Sequence, residues 1–161
     1  MSGKQPILGG RSKVKVAIAQ ISSKFLDRKG SVSRAAQAIR EAAANGAELI
    51  VFPEVWLAGY PYWTEGWDSE VANWVQGRVR FLDAAVTLPG EETEELCRAA
   101  RDANAYVVMG CNELDSRPGS QTIYNTLCFI GRDGTLMGRH RKLIPTFTER
   151  MFWGNGDARD L

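Results

Sequence analysis

A chain of 161 residues is long enough to bury the core of one ordinary domain, and 44% hydrophobic against 24% charged residues is a globular balance that excludes a disordered or fibrous chain. A formal net charge of +1 gives no long-range field to hold nucleic acid or an anionic membrane surface, so neither is expected as a partner. Small molecules and other protein surfaces remain.

The first twelve residues, MSGKQPILGGRS, are polar and glycine-containing and lack the apolar centre of a signal peptide, so they read as a mobile arm (1–12). No apolar run approaches membrane-spanning length. VKVAIAQI, residues 14 to 21, has the alternation and β-branching of a first strand, expected to be central in its sheet. After a polar loop, Ser31 is a candidate cap for a helix whose apolar stripe is Val32, Ala35, Ala36, Ile39, Ala42 and Ala43, with Asn45-Gly46 as the left-handed stop. The run from Leu49 to Glu54 then suits a strand buried on both faces, and Pro53 ends its ladder just before the acid. Strand, helix and strand make a βαβ unit, which puts Glu54 at a strand's carboxyl end, where open α/β sheets bind ligands.

Four of the five tryptophans fall between Trp56 and Trp74, with Trp63 and Trp67 between them. Val71, Trp74, Val75, Val79 and Leu82 fit one helical face, although Gly77 weakens that helix by roughly 1 kcal/mol relative to alanine. These aromatics read first as cover for the sheet, with a pocket wall or a subunit interface as alternatives. Residues 87 to 104 form a helix announced by four early glutamates and by Arg98 and Arg101 later, a solvated charged face that complements the helix dipole. AYVVMGCNEL (105–114) and TIYNTLCFIG (122–131) read as strands, and Asp133-Gly134 makes a tight hairpin into TLMGRHRK. The total is about five strands and three helices with no linker between them.

Glu54 is the first candidate for chemistry. Burial at a strand end raises a carboxyl pKa toward the range of a general base, while a nearby cation lowers it; a structural acid that caps a turn or pairs with a base is the alternative. The second candidate is the basic run from Arg139 to Lys142, which alternates across a strand so that Arg139 and Arg141 face one way and His140 and Lys142 the other. Lys142 occupies the same kind of strand-end position as Glu54, against the alternative of a solvated basic face. Glu149 and Arg150 follow; Arg150 reads as half of a surface ion pair. His140 is the only histidine, and neither metal-ligand spacing nor a GxSxG or phosphate-binding glycine motif is present, so no cofactor and no metal is implied. Cys97, Cys111 and Cys128 are odd in number, lack CxxC spacing and sit in apolar patterns, which reads as reduced packing thiols in a cytoplasmic setting, with Cys111 the least implausible nucleophile.

Taken together, FPEVWLAGYPYW and HRKLIPTFTERMFWGNGD resemble the nitrilase branch of the carbon-nitrogen hydrolase superfamily, and the order from VKVAIAQ through the LPG-led helix to YNTLCFIGRDG extends the resemblance over residues 13 to 161. It implies an α/β fold, the N-terminal part of an α-β-β-α sandwich, and a Glu-Lys-Cys site joined by a second glutamate. Matched by motif, Glu54 is the general base, Lys142 stabilises charge in a tetrahedral intermediate, and Glu149 orients the site. The family's nucleophilic cysteine comes later in its chains, and this sequence reaches Leu161 without it. The expectation is therefore an N-terminal portion of the domain, inactive alone, with one sheet face open.

The function so implied is hydrolysis of a nitrile to the carboxylic acid and ammonia. An amidase or carbamoyl-type hydrolase is the rival enzyme, and a non-catalytic assembly module the rival of another class. A small-molecule nitrile is the expected partner, aromatic or arylaliphatic if the residues from Trp56 to Trp67 accommodate it. A homo-oligomer, dimer or spiral, is expected, with Tyr60 to Phe81 as its contact.

Overall fold

The structure, a computed structural model, describes residues 13–64 and 71–158. The expected arm at 1–12 and Trp67 lie outside the described residues. In chain order the elements are β1 (Val16–Ile18), α1 (Arg28–Ala44), β2 (Leu49–Val51), a 3-10 helix (Tyr62–Thr64), α2 (Val71–Asp83), α3 (Glu91–Ala103), β3 (Tyr106–Leu114), β4 (Ile123–Ile130), β5 (Leu136–Arg141) and a second 3-10 helix (Phe147–Met151). The strands form one sheet in the order β1-β2-β3-β4-β5, parallel across β1, β2 and β3 and antiparallel across β3, β4 and β5. The βαβ unit and the hairpin into β5 are as the sequence predicts.

Three expectations need correction. The first strand is not central: among the described residues β1 pairs with β2 alone, and Val16 and Ile18 are exposed. The helix cap is Asp27, whose carboxylate accepts from the Gly30 N–H at 2.9 Å, and α1 starts before Ser31. Ser31 turns inward, fully buried, donating to the Lys24 carbonyl and accepting from its N–H, because it shares the helix face of Val32 and Ala35. The opening glutamates of α3 are not all solvated: Glu92 is buried and pairs with Arg28 at 3.0 Å, tying the starts of two helices together.

Helices α1 and α3 lie side by side on one sheet face, where Ile39, Ile50, Leu96, Val107, Met109, Cys111, Cys128 and Ile130 form the main core. Full burial of an aliphatic side chain such as Leu96 contributes about 1.5–3 kcal/mol. On the opposite face Ile18 and Tyr106 are exposed and Val51, Val108 and Phe129 only half-buried, so the open sheet face is present among the described residues. The tryptophans divide. Trp56 joins the main core, its ring tilted against Phe52 and its indole N–H donating to the Ile21 carbonyl at 2.6 Å. Trp63 and Trp74 instead build a second cluster with Phe81 and Phe152. Gly77 suits this packing, since a Cβ there would lie 2.7 Å from the Trp63 indole nitrogen.

Candidate active site

Glu54 leaves the sheet three residues after β2, because Pro53 has no N–H with which to extend the ladder. The turn that carries Glu54 lies directly over β3, and it fits only because residue 110 is glycine: a Cβ there would sit 2.1 Å from the Pro53 carbonyl oxygen and 2.7 Å from the Val55 nitrogen. Val55 (φ +44°) and Ala58 (φ +78°) then hold left-handed conformations that cost non-glycine residues energy, so the loop behind Glu54 stores local strain. Asn112, in β3, ties this loop to the segment that follows the second 3-10 helix: it donates to the Gly59 carbonyl at 2.9 Å and accepts from the Trp153 indole at 2.8 Å.

Lys142 follows the last residue of β5, and its N–H continues the ladder by donating to the Asn125 carbonyl at 2.8 Å. Strand alternation sends the Arg139 and Arg141 side chains to the other face, so Lys142 alone of the three reaches Glu54, with Nζ 2.8 Å from Oε1. Glu149 meets the same ammonium at 2.9 and 3.2 Å through its two carboxylate oxygens. A capping box sets that acid in place: the Thr146 N–H donates to Glu149 Oε2 at 2.6 Å at the start of the second 3-10 helix. The three residues singled out from the sequence are thus brought together around one nitrogen.

Two carboxylates flank one ammonium, and the group is half-open to solvent. Burial pushes the Glu54 pKa up, but hydrogen bonds from Lys142 and Asn125 and the charge of Lys142 outweigh it and leave the carboxyl below the ordinary glutamate range. Burial pulls Lys142 down, and its two acids more than reverse this, so the ammonium is held above its usual range. At neutral pH the site holds an ionised acceptor beside a fixed cation. It can take a proton at Glu54 and offer N–H donors to a developing oxyanion.

The other candidates fall elsewhere. Arg139 and Arg141 both bind the buried carboxylate of Glu113, with Arg141 Nε at 2.9 Å and the Thr126 hydroxyl donating at 2.8 Å. Among the described residues Arg150 makes no ion pair; its guanidinium donates to the Pro145 carbonyl at 3.2 Å. Cys111 lies in the main core with its thiol hydrogen-bonded to Cys128, and that bond and burial raise its pKa well above the ordinary thiol value, which removes it as a nucleophile. Burial raises Cys97 as well, and all three cysteines are free thiols. Trp56 is buried and Trp63 half-buried in packing, so neither offers an open aromatic wall to a substrate. Among the described residues no cluster of His, Cys, Asp or Glu is placed to hold a metal, and no helix is long and apolar enough to cross a membrane.

Sequence reasoning missed Asn125, whose Nδ2 donates to Glu54 Oε1, and the Glu113 cluster beneath it. The only signal was a run of polar residues, Asn125 and Thr126, inside an otherwise apolar strand.

The sequence model of the family described as carbon-nitrogen hydrolase matches residues 15–161. A protein named nitrilase 2 from an unidentified prokaryote is 42% identical over 156 residues, covering 96% of this chain and 48% of its own. An aliphatic nitrilase of Sinorhizobium fredii is 38% identical, covering 93% and 48%. Among solved structures, Nit3 of Saccharomyces cerevisiae, a member of branch 10 of the nitrilase superfamily, superposes with a TM-score of 0.66 at 25% identity, over 89% of this chain and 49% of that one. The chain therefore spans about half the length of these relatives. A mixed sheet with helices on one face, and a family match running through both acid-bearing motifs, lead to one conclusion: the chain belongs to the carbon-nitrogen hydrolase family.

Proposed function

We propose that the full-length protein is a nitrilase-type hydrolase, that residues 13–161 are the N-terminal portion of its catalytic domain, and that Glu54, Lys142 and Glu149 are three of its four catalytic groups. The observation that carries this reading is the Lys142 ammonium held 2.8 and 2.9 Å from two carboxylates at the end of the sheet. The nucleophile that the family resemblance implies is a cysteine outside the matched residues, a reading supported by the packing of the thiols present: Cys111 and Cys128 are buried in the core and Cys97 is a helix thiol with a raised pKa.

In the proposed reaction the thiol gives its proton to Glu54 as the sulfur adds to the nitrile carbon, and Glu54 passes that proton to the nitrogen to give a thioimidate. Glu54 then removes a proton from water as its oxygen bonds to the same carbon. Lys142 donates to the charge that develops on the tetrahedral intermediate, and Glu149 keeps the ammonium aimed. The nitrogen takes the water's proton from Glu54 and then the proton of the new hydroxyl as ammonia leaves and a thioester remains; a second water, deprotonated by Glu54 in the same way, adds to the thioester carbon and frees the carboxylic acid as the sulfur leaves. The test is ammonia release from a panel of aliphatic and aromatic nitriles by the full-length protein and its Lys142→Ala variant. Turnover in the parent and a loss of at least about 100-fold in the variant are expected; unchanged release in the variant would remove Lys142 from the site.

The reading extends to a cytoplasmic homo-oligomer. Three free thiols support a reducing compartment. On α2, Val75 and Val79 stand exposed one turn apart, and they support a subunit contact in the segment from Tyr60 to Phe81. Val79→Asp should lower the sedimentation coefficient of the full-length protein, and an unchanged coefficient would count against this contact.

A further inference from the structure

The hydrogen bonds that enter Glu54 are unevenly divided. Its Oε1 accepts from both Lys142 Nζ and Asn125 Nδ2, whereas among the described residues none reaches Oε2. A carboxylate oxygen with two donors has little lone-pair capacity left, so its partner oxygen is the one with room for a proton. Asn125 is nearly buried in β4, opposite Asn112 of β3. Its side chain holds the acid while its carbonyl accepts from the Lys142 N–H at 2.8 Å. One residue of β4 therefore sets the relation between Glu54 and Lys142, which lie 88 positions apart in the chain. The amide must present its NH2 group here, since its oxygen would face a carboxylate.

We propose that Asn125 is a positioning residue for the general base: by occupying Oε1 together with Lys142 it fixes the rotation of the Glu54 carboxylate and leaves Oε2 as the oxygen that receives the proton. In that step the O–H bond of the attacking water breaks, its electron pair goes into the new bond to carbon, and the proton passes to Oε2. The inference rests on the reading of Glu54 as base. A residue that only pinned two strands together would hold the fold without governing how Glu54 titrates.

The experiment uses Asn125→Leu, which keeps the volume and removes the donor, and Asn125→Asp, which keeps the shape and adds a like charge. Two measurements are made on the full-length protein. One is the pH profile of kcat/KM for ammonia release; the other is a carbon-13 NMR titration of the glutamate side-chain carboxyls, which needs no turnover. Because Asn125 favours the ionised acid, its loss raises the Glu54 pKa, and the acid limb of the profile moves with it. Asn125→Leu should shift both by about one pH unit upward. Asn125→Asp should shift them further, and it carries the test if the leucine variant does not fold. An unchanged Glu54 titration, or a rate loss equal at every pH, would overturn the proposal. If the parent releases no ammonia, the functional reading fails while the NMR titration still decides the role of Asn125.

Discussion

Two acid-base groups sit on opposite faces of β3, β4 and the end of β5, and they are near mirror images in charge. On the open face two carboxylates share one ammonium: Lys142 with Glu54 and Glu149. On the helix-covered face two guanidinium groups share one carboxylate: Glu113 with Arg139 and Arg141. Adjacent residues, Arg141 and Lys142, feed the two groups, because a strand turns successive side chains to opposite faces.

What separates the two is burial and completeness. Glu113 is 1% exposed, both of its oxygens are occupied, and Arg141 also lies over the Tyr124 ring with its carbon 3.9 Å from the centroid. The Glu54 side chain is 54% exposed, and Oε2 is not engaged by a described residue. A saturated, desolvated group fixes geometry, and an unsaturated one at the rim is available for chemistry.

Removing one partner should therefore do different things on the two faces. The largest effect on folding is expected for Glu113→Ala, which leaves two guanidinium groups without their shared acid, one of them buried. Unfolding by urea should show a loss of about 3–5 kcal/mol. A loss below about 1 kcal/mol would mean that the cluster is not the anchor of β5, and the comparison would break there. The smallest effect on folding is expected for Glu54→Gln, within about 1 kcal/mol, because this exposed acid contributes little through its ion pair.

The sequence carried one of these groups far better than the other. Glu54, Lys142 and Glu149 were legible because each sits in a long motif at a strand end or helix start. The alternation of Arg139 and Arg141 against His140 and Lys142 was legible too, but not which pair is covered. That depends on Glu113 standing two residues along β3 from Cys111, on the face that α1 and α3 cover. Asn125 was not legible, since its contact to Glu54 spans 71 positions and exists only in the register that sets Asn125 opposite Asn112. The edge position of β1 was hidden for the same reason: strand order depends on which strands lie beyond it, and its β-branching fits either place. Ser31 suits a helix cap by residue type, but α1 starts earlier, behind Asp27, and Ser31 turns inward on the buried face it shares with Val32.

On the proposed function the open group is catalytic and the closed one structural. The measurement that tests it most directly is kcat/KM for nitrile hydrolysis by full-length Glu54→Gln, taken with its thermal midpoint. A loss of about 100- to 10,000-fold with the midpoint nearly unmoved is expected. Retained activity, or a loss that only follows a collapsed midpoint, would contradict it.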